Sequence, residues 1–162
     1  MPRRDKTVSE TCIETYHIVR PTDLNSANRL FGGSLMAWID EVAALVAKRH
    51  CQTNVTTGTV DNLTFLHPVY LRDTLVLTGK VTYVGNTSLE VKVESHVEDY
   101  ESGNRRLINV AYITLIALDE NDRPVRVPRL ILESDEEHAE WTRAEERKKH
   151  RKIEKQKIDQ EG

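Results

Sequence analysis

One long helix of almost unbroken apolar character sets the strongest limit on how this chain can fold. From Gly33 to about Arg49 the residues read as a helix, and apolar side chains surround its axis on nearly every side. A helix of this kind needs other elements to cover it. The sequence therefore predicts a buried central helix that the rest of the domain encloses.

The segments around this helix have the composition needed to enclose it. Four stretches rich in β-branched and aromatic residues follow it, at 55–67, 73–85, 87–100 and 106–118. Turn residues at 85–86 and 102–104 join consecutive strands, and such strands pair antiparallel. Another strand is predicted at 11–20, before a polar loop at 21–28. The expected fold class is α+β, with the long central helix wrapped by a curved antiparallel sheet.

Length and charge divide the chain into three parts. The chain has 162 residues and a net charge of −3, and most of its excess charged residues lie after Glu133. We expect a flexible N-terminus at 1–10, one folded domain at 11–132 and a charged, solvated helical tail at 133–162. The tail is acidic first and basic later, which suits the helix dipole.

Composition argues against several classes of protein. The negative net charge disfavours a general nucleic-acid binder. No apolar run approaches the roughly 18 residues that span a bilayer, and the N-terminus lacks the apolar core of a signal peptide. The cysteines Cys12 and Cys51 are too few for a disulfide framework. We expect a soluble, cytoplasmic protein with no nucleic-acid partner and no membrane span.

The common motifs of metal and nucleophilic chemistry do not occur in the sequence. The histidines show no metal-ligand spacing, and there is no C-x-x-C pair, no G-x-S-x-G elbow and no P-loop. Ser34 follows two glycines, but a serine at a helix start is more often a cap than a nucleophile. His50 and Cys51 fit a C-terminal cap or an ordinary packed pair at the helix end. No metal site is therefore expected.

The start of the apolar helix is the strongest candidate for chemistry. Its exposed backbone N–H groups carry partial positive charge, and Gly32 and Gly33 let a ligand approach them closely. Such a site polarises a carbonyl and stabilises an oxyanion. Asp40 lies about two turns further on, and Glu41 points about 100° away from it. From the residues alone, either Asp40 is a functional carboxylate facing a cleft, or both carboxylates are ordinary, one facing solvent and the other paired with an arginine at a subunit contact.

Three segments taken together resemble a known family. They are N-x-x-F-G-G-x-x-M-x-x-x-D-E from Asn28, V-D-N-L-T-F-L-H-P-V from Val60 and G-N-T-S-L-E-V from Gly85. These segments resemble the hotdog-fold acyl-CoA thioesterases, in particular the brain-type acyl-CoA hydrolases and their small single-domain bacterial relatives. The resemblance covers roughly residues 10–130. It implies the hotdog fold and makes 11–132 a hotdog thioesterase domain.

The resemblance implies hydrolysis of acyl-CoA to a free fatty acid and CoA, in lipid metabolism. Asp40 would act as a general base on water or as a nucleophile, and Asn28 would orient the water or the thioester carbonyl. The Gly33 N–H would polarise that carbonyl. No cofactor is implied, because CoA is part of the substrate and product. The family builds its sites from two hotdog units, so we expect at least a homodimer, and a homohexamer as a trimer of dimers.

The resemblance also implies where CoA binds. The residues expected to contact it are Gly32, Asn62, Thr64, Gly85, Asn86, Thr87, Ser88 and Arg105. The turn at 85–88 also fits a plain hairpin, and Asn62 and Thr64 also fit structural roles. Arg72, Lys80, Arg105 and Arg106 are all candidates for the CoA phosphates, and the sequence does not choose among them. Bulk at Met36, Trp38 or Phe65 is expected to set the depth of the acyl tunnel.

Two other functions stay open on the sequence. One is a non-enzymatic acyl-CoA-binding hotdog module, although a pure binder would have no need of Asp40. The other is a hotdog dehydratase or hydratase, which needs a catalytic histidine paired with an acid. His67 precedes Pro68, but the H-F-P motif of such enzymes is missing.

Overall fold

A computed structural model of the chain describes residues 3–162, in which five antiparallel strands curve around one long helix. The helix is α2 (Gly32–Cys51). The strands are β2 (Ile13–Ile18), β3 (Asn54–Asp61), β4 (Thr74–Val84), β5 (Ser88–Glu98) and β6 (Arg105–Leu118). Their order across the sheet is β2-β4-β5-β6-β3, which leaves β2 and β3 at the two edges. The α+β hotdog architecture is confirmed.

The sheet covers α2 from one side. Leu35, Ile39 and Val46 are fully buried against the inner face of the sheet, where they form the centre of the core. Two apolar side chains of the helix stay exposed at separate places: Met36, near the helix start, is 41% exposed, and Leu45, nine residues later and about 180° around the axis, is 49% exposed. The predicted wrapping therefore exists, but within one chain it is incomplete, because five strands curl around only part of a helix.

The predicted strands after α2 are found, but the first is shorter than expected. The prediction of a strand over 55–67 is wrong beyond Asp61. Asn62 has a φ of 67°, in the left-handed region that a strand does not admit. The chain therefore leaves the sheet at this point and runs as a loop to β4.

The segment assigned to a flexible N-terminus contains ordered elements within its described part. Lys6–Thr7 form strand β1, and Val8–Thr11 form one turn of helix, α1. Strand β1 pairs in parallel with β7 (Leu130–Ile131), near the end of the domain. The Lys6 ammonium is buried and donates to the His50 carbonyl at 2.8 Å. These contacts close the end of the core beside the C-terminus of α2.

The charged tail forms helix α3 (Asp135–Glu161), and its first half packs on the outer face of the sheet. Ser134 caps the helix, because its Oγ accepts a bond from the Glu137 N–H at 3.1 Å. Ala144 is buried, and Trp141 packs against Tyr83 with ring centroids 4.4 Å apart. The expectation of a solvated tail therefore describes only the second half. Within residues 3–162, no helix is long and apolar enough to cross a membrane.

A buried carboxylate fixes α3 to the sheet. Glu90 on β5 is 2% exposed, and it accepts bonds from the Arg147 guanidinium at 2.7 and 3.1 Å. The Thr82 hydroxyl donates to the same carboxylate at 2.6 Å. One helical turn later, Arg151 pairs with Asp61 at 2.8 Å. A buried charge is tolerated only when it is paired and hydrogen-bonded, and Glu90 meets both conditions.

Candidate active site

Asp40 is half-buried on α2 and is held by a threonine of the edge strand. The Thr57 hydroxyl on β3 donates to Asp40 Oδ1 at 2.6 Å. This bond engages one carboxylate oxygen and leaves the other available to a ligand or water. Glu41, the next residue, is exposed. The two adjacent carboxylates therefore differ in surroundings, as their positions on a helix predict.

The start of α2 presents free donors. Among the described residues, the N–H groups of Gly32 and Gly33 donate to no backbone carbonyl, whereas the next two N–H groups bond to the Phe31 carbonyl. A Cβ on Gly33 would lie 2.5 Å from the Phe31 ring, so only glycine fits under that ring in its present position. The helix begins at Gly32, which puts Ser34 inside the first turn. The prediction of Ser34 as a cap is therefore wrong.

Two asparagines, Asn25 and Asn28, lie in the loop before α2, and their side chains differ in their hydrogen bonds. Asn25 Oδ1 accepts from the backbone N–H groups of Ala27 and Arg29, at 2.9 and 3.2 Å. This fixes the amide and leaves its Nδ2 hydrogens to donate to a ligand. Asn28, the predicted orienting residue, has a φ of 59° at the tip of the same loop and is exposed.

Asn62 and Thr64 lie in the loop after β3, and their carbonyls are held by a buried side chain. Asn109 Nδ2 donates to the Asn62 carbonyl at 3.4 Å and to the Thr64 carbonyl at 2.9 Å. Both residues are exposed. Their observed bonds are structural, and their predicted contact with CoA stays a prediction.

The structure separates two parts of the predicted CoA site. The hairpin at 85–88 lies at one end of β5, and Arg105 pairs with Glu98 at the other end, at 2.8 Å. Arg105 also pairs with Glu14 at 2.7 Å, so two carboxylates neutralise it. The hydrogen bonds that Arg105 donates to these carboxylates raise its pKa. Within this chain, Arg105 cannot serve a ligand held by the hairpin, because β5 is about 33 Å long.

The residues expected to set acyl depth have different surroundings. Met36 is 41% exposed near the start of α2. Trp38 stacks on His17 with ring centroids 4.4 Å apart, and burial lowers the pKa of that histidine. Phe65 is half-buried, and one of its ring carbons would contact a Cβ on Gly32 at 3.8 Å. Phe65 therefore lies directly beside the helix start.

The cysteine and histidine that end α2 are packed groups. Cys51 is fully buried, and burial raises the pKa of its thiol to about 11. His50 is also buried; its Nε2 lies 2.9 Å from the Pro128 carbonyl, and burial lowers its pKa. In the part of the chain that the structure describes, no group of three histidine, cysteine or carboxylate side chains is arranged to hold a metal ion.

Sequence comparisons relate the chain to thioester hydrolases. A family model described as the Thioesterase superfamily matches residues 27–103. The chain is 40% identical over 137 residues to the uncharacterized acyl-CoA thioester hydrolase YkhA of Bacillus subtilis, covering 85% of this chain and 80% of that protein. It is 30% identical to the rat cytosolic acyl coenzyme A thioester hydrolase, of whose length it spans 35%.

Solved structures give the same relationship. The acyl-CoA hydrolase of Bacillus cereus has a TM-score of 0.87 at 35% identity, over 97% of this chain and 96% of that one. The acyl-CoA hydrolase of Staphylococcus aureus, solved with butyryl-CoA and CoA, has a TM-score of 0.83 at 35% identity, over 94% and 96% of the two chains. A hexameric acyl-CoA thioesterase has a TM-score of 0.84 at 34% identity, over 93% and 97%.

Three variants of the S. aureus enzyme, each with one residue replaced by alanine, have also been solved. The replaced residues are an asparagine, an aspartate and a threonine, and the asparagine precedes the aspartate by 15 residues while the threonine follows it by 17. In this chain, Asn25 precedes Asp40 by 15 residues and Thr57 follows it by 17. The spacing matches the Asp40–Thr57 pair, and it favours Asn25 over Asn28 for the asparagine.

Thr57 is the site residue that sequence reasoning missed. It stands in the stretch TNVTTGTV, where four threonines occur within seven residues. Alternation along a strand cannot show which of them meets the helix, because a bulge between Thr57 and Thr59 shifts the register.

Proposed function

The chain belongs to the thioesterase superfamily, among the acyl-CoA thioester hydrolases, and from this premise we propose that it hydrolyses acyl-CoA to a free fatty acid and CoA. The observation that carries the proposal is the Asp40–Thr57 hydrogen bond, 2.6 Å long, on a helix that begins with two free glycine N–H groups. A carboxylate base and polarising donors are the groups that thioester hydrolysis needs.

The reaction follows from what each group offers. Thr57 donates to Oδ1 of Asp40, so Oδ2 accepts the proton of a water as the water oxygen attacks the thioester carbon. The carbon–sulfur bond then breaks, and the proton passes to the thiolate of CoA. In the second form of the mechanism, Oδ2 attacks the carbon itself, the carbon–sulfur bond breaks and the CoA thiolate leaves. Water then opens the resulting anhydride to the free acid and Asp40, and the thiolate takes up the proton that this water gives up. No cofactor takes part in either form, because CoA is part of the substrate.

The helix start stabilises the oxyanion. As the carbonyl carbon becomes tetrahedral, its oxygen gains negative charge, and the Gly33 N–H donates to it at the positive end of the α2 dipole. Gly32 offers a second N–H in the same turn. We assign the orienting role expected for Asn28 to Asn25 instead, because two loop N–H groups already orient the Asn25 amide. Its Nδ2 hydrogens would hold the carbonyl or the attacking water.

The complete site takes groups from two protomers. Gly33 and Asp40 are separated by about 10 Å along α2, further than two groups acting on one carbonyl need to be. Thr57 lies on the edge strand β3, whose outer side has no strand partner among the described residues, and Met36 and Leu45 of α2 remain exposed within one chain. We therefore place the site at the contact of a homodimer, with two equivalent sites.

Assembly and location extend the same proposal. Hexameric thioesterases are among the solved structures of similar fold. We propose the same number of subunits for this chain, arranged as a trimer of dimers. The rat relative is named a cytosolic enzyme, which supports a cytoplasmic location here.

The activity is tested by following free thiol released from a panel of acyl-CoAs of increasing chain length. We expect release from at least one chain length at a rate well above spontaneous hydrolysis. Binding of acyl-CoA without thiol release at any length would instead establish a non-enzymatic acyl-CoA-binding module.

A further inference from the structure

Helix α3 crosses the outer face of the sheet in the direction of the edge strand β3. The ring of Trp141 packs against a ring of β4. Two turns later, the Arg147 guanidinium lies over a ring of β6, with its Cζ 3.6 Å from the ring centroid. Arg151 then pairs with Asp61, the last residue of β3, at 2.8 Å. Because the sheet order ends β5-β6-β3, the helix has reached the edge of the sheet at Arg151.

The helix continues well past this contact. From Arg151 to its end at Glu161 it runs about 15 Å, or roughly three strand spacings. All residues from 152 to 161 are exposed. Among the described residues, no strand lies on the outer side of β3. Within one chain, the sheet therefore does not extend as far as the end of α3.

The face of α3 that packs on the sheet continues into this exposed part. Ala144, Arg151 and Ile158 are each two turns apart, so they lie on one face of the helix. Along that face, Ala144 is 1% exposed, the Arg151 side chain is 22% exposed and Ile158 is 69% exposed. Ile153 points about 160° away from Arg151, on the solvent side. The contact face therefore ends in an isoleucine that this chain leaves uncovered.

A gap lies between the second half of α3 and the outer face of the sheet. It encloses about 810 Å³, and Ile158 is part of its lining. Cations such as Lys152 and Lys155 and carboxylates such as Glu154 and Asp159 line it in equal numbers. In a contact related by a two-fold axis, each surface meets its own copy, so a mixture of both charges can pair with itself. This balance suits an identical chain better than a strongly charged ligand.

We propose that residues 152–161 of α3 form an arm that crosses the subunit boundary and packs through Ile158 on the outer face of a second copy of this chain. This rests on the proposed function, which places the homodimer contact at β3. Two identical edge strands related by a two-fold axis pair antiparallel and continue one sheet. The outer face then extends beyond β3 and lies beneath the end of α3, where it covers Ile158.

Thiol labelling at two positions of the arm tests this contact. Ile158→Cys and Ile153→Cys are each treated with iodoacetamide in the full chain, and mass spectrometry of the peptides separates these positions from Cys12 and Cys51. A free monomer would label position 158 at least as fast, because Ile158 is 69% exposed and Ile153 is 52% exposed. In the assembled protein, we expect position 158 to label at least about 10-fold more slowly, because the partner covers it. Equal rates would overturn the inference.

Subunit exchange gives a second readout. Energy transfer between donor-labelled and acceptor-labelled chains follows the exchange. Ile158→Asp should exchange at least about 10-fold faster than the wild type, because it puts a charge into an apolar contact. Ile153→Asp is the matched control on the other side of the helix and should exchange at the wild-type rate. Equal exchange for the two variants would also overturn the arm.

Thiol release from acyl-CoA separates the arm from the proposed function. At concentrations where Ile158→Asp is assembled, its kcat should equal that of the wild type, because the arm lies on the outer face of the sheet and Asp40 lies on the inner side. A wild type that protects position 158 but releases no thiol would refute the hydrolysis and support the arm. An active wild type that labels both positions equally would refute the arm alone.

Discussion

Asp40 depends on the Thr57 hydroxyl for the orientation of its carboxylate. Thr57→Val has nearly the same shape but removes the 2.6 Å bond to Oδ1. The carboxylate then rotates more freely, and we expect kcat to fall about 10-fold with little change in KM. Steady-state kinetics with Thr56→Val as the matched control will check this. Equal kinetics for the two variants would mean that Thr57 has no part in the reaction.

Single substitutions also test which asparagine, Asn25 or Asn28, holds the carbonyl or the attacking water. Asn25→Asp keeps an oxygen that accepts the two loop N–H groups, but it removes the Nδ2 donors, so we expect a loss of about 100-fold in kcat. Asn28→Gly suits the φ of 59° and should keep most activity. The reverse result, with Asn28→Gly inactive and Asn25→Asp active, would return the role to Asn28.

Some of these site residues could be predicted from the sequence, and others could not. Asp40 and the glycines at the helix start lie in one local pattern, so the sequence could mark them as candidates, and the family resemblance supplied their expected roles. The bond between Asp40 and Thr57 joins a helix to a bulged strand, and it exists only in the folded chain. The resemblance places the family's asparagine on Asn28, just before the glycines, but only the folded geometry shows that the amide of Asn25 is the one already oriented.

At the scale of elements, an ion pair holds the first half of α3 against the sheet. Lys92 on β5 donates to Glu140 at 2.7 Å, and the Glu140 side chain is 13% exposed. Burial raises the pKa of Glu140, but bonds from Lys92 and Arg143 lower it by more, so the folded value lies below the ordinary 4.5. The ionised form therefore stabilises the folded state.

The pH dependence follows from the direction of that shift. A lowered folded pKa contributes stability that is present above pH 4.5, the ordinary value, and that is lost as pH falls through the folded value. We expect about 1 kcal/mol from this pair at pH 7. In urea unfolding, the free energy of unfolding should decrease less between pH 7 and pH 4 for Glu140→Gln than for the wild type. An equal decrease in both proteins would show that Glu140 does not contribute to this pH dependence.

Elements defined by local pattern were predicted well, and those defined by distant contacts were not. Helix α2 and the strands β4, β5 and β6 follow from periodicity and turn residues, and their bounds lie within a few residues of the prediction. Strands β1 and β7 pair residues 6–7 with 130–131, and no local signal reveals such a contact. The charged composition of α3 indicated a solvated helix, because the buried partners of Arg147 lie on another element.

At the scale of the whole molecule, the proposed site divides between two protomers, and subunit mixing tests that division. Asp40→Asn and Asn25→Asp chains are each expected to be inactive alone. A mixed dimer keeps one intact site, with the aspartate from one chain and the asparagine from the other. Random mixing in equal amounts should restore about a quarter of wild-type activity. No recovery in mixtures shown to exchange subunits would place the whole site within one chain.

The central claim is that the carboxylate of Asp40 performs the hydrolysis, and one substitution tests it most directly. Asp40→Asn keeps the shape of the side chain and an oxygen for the Thr57 hydroxyl, but it removes the group that takes a proton or attacks the thioester. Glu41→Gln is the matched control, because Glu41 is the exposed carboxylate next to it. Thiol release from the best acyl-CoA of the panel should fall at least about 1,000-fold in Asp40→Asn and change little in Glu41→Gln. Full activity in Asp40→Asn would contradict the mechanism.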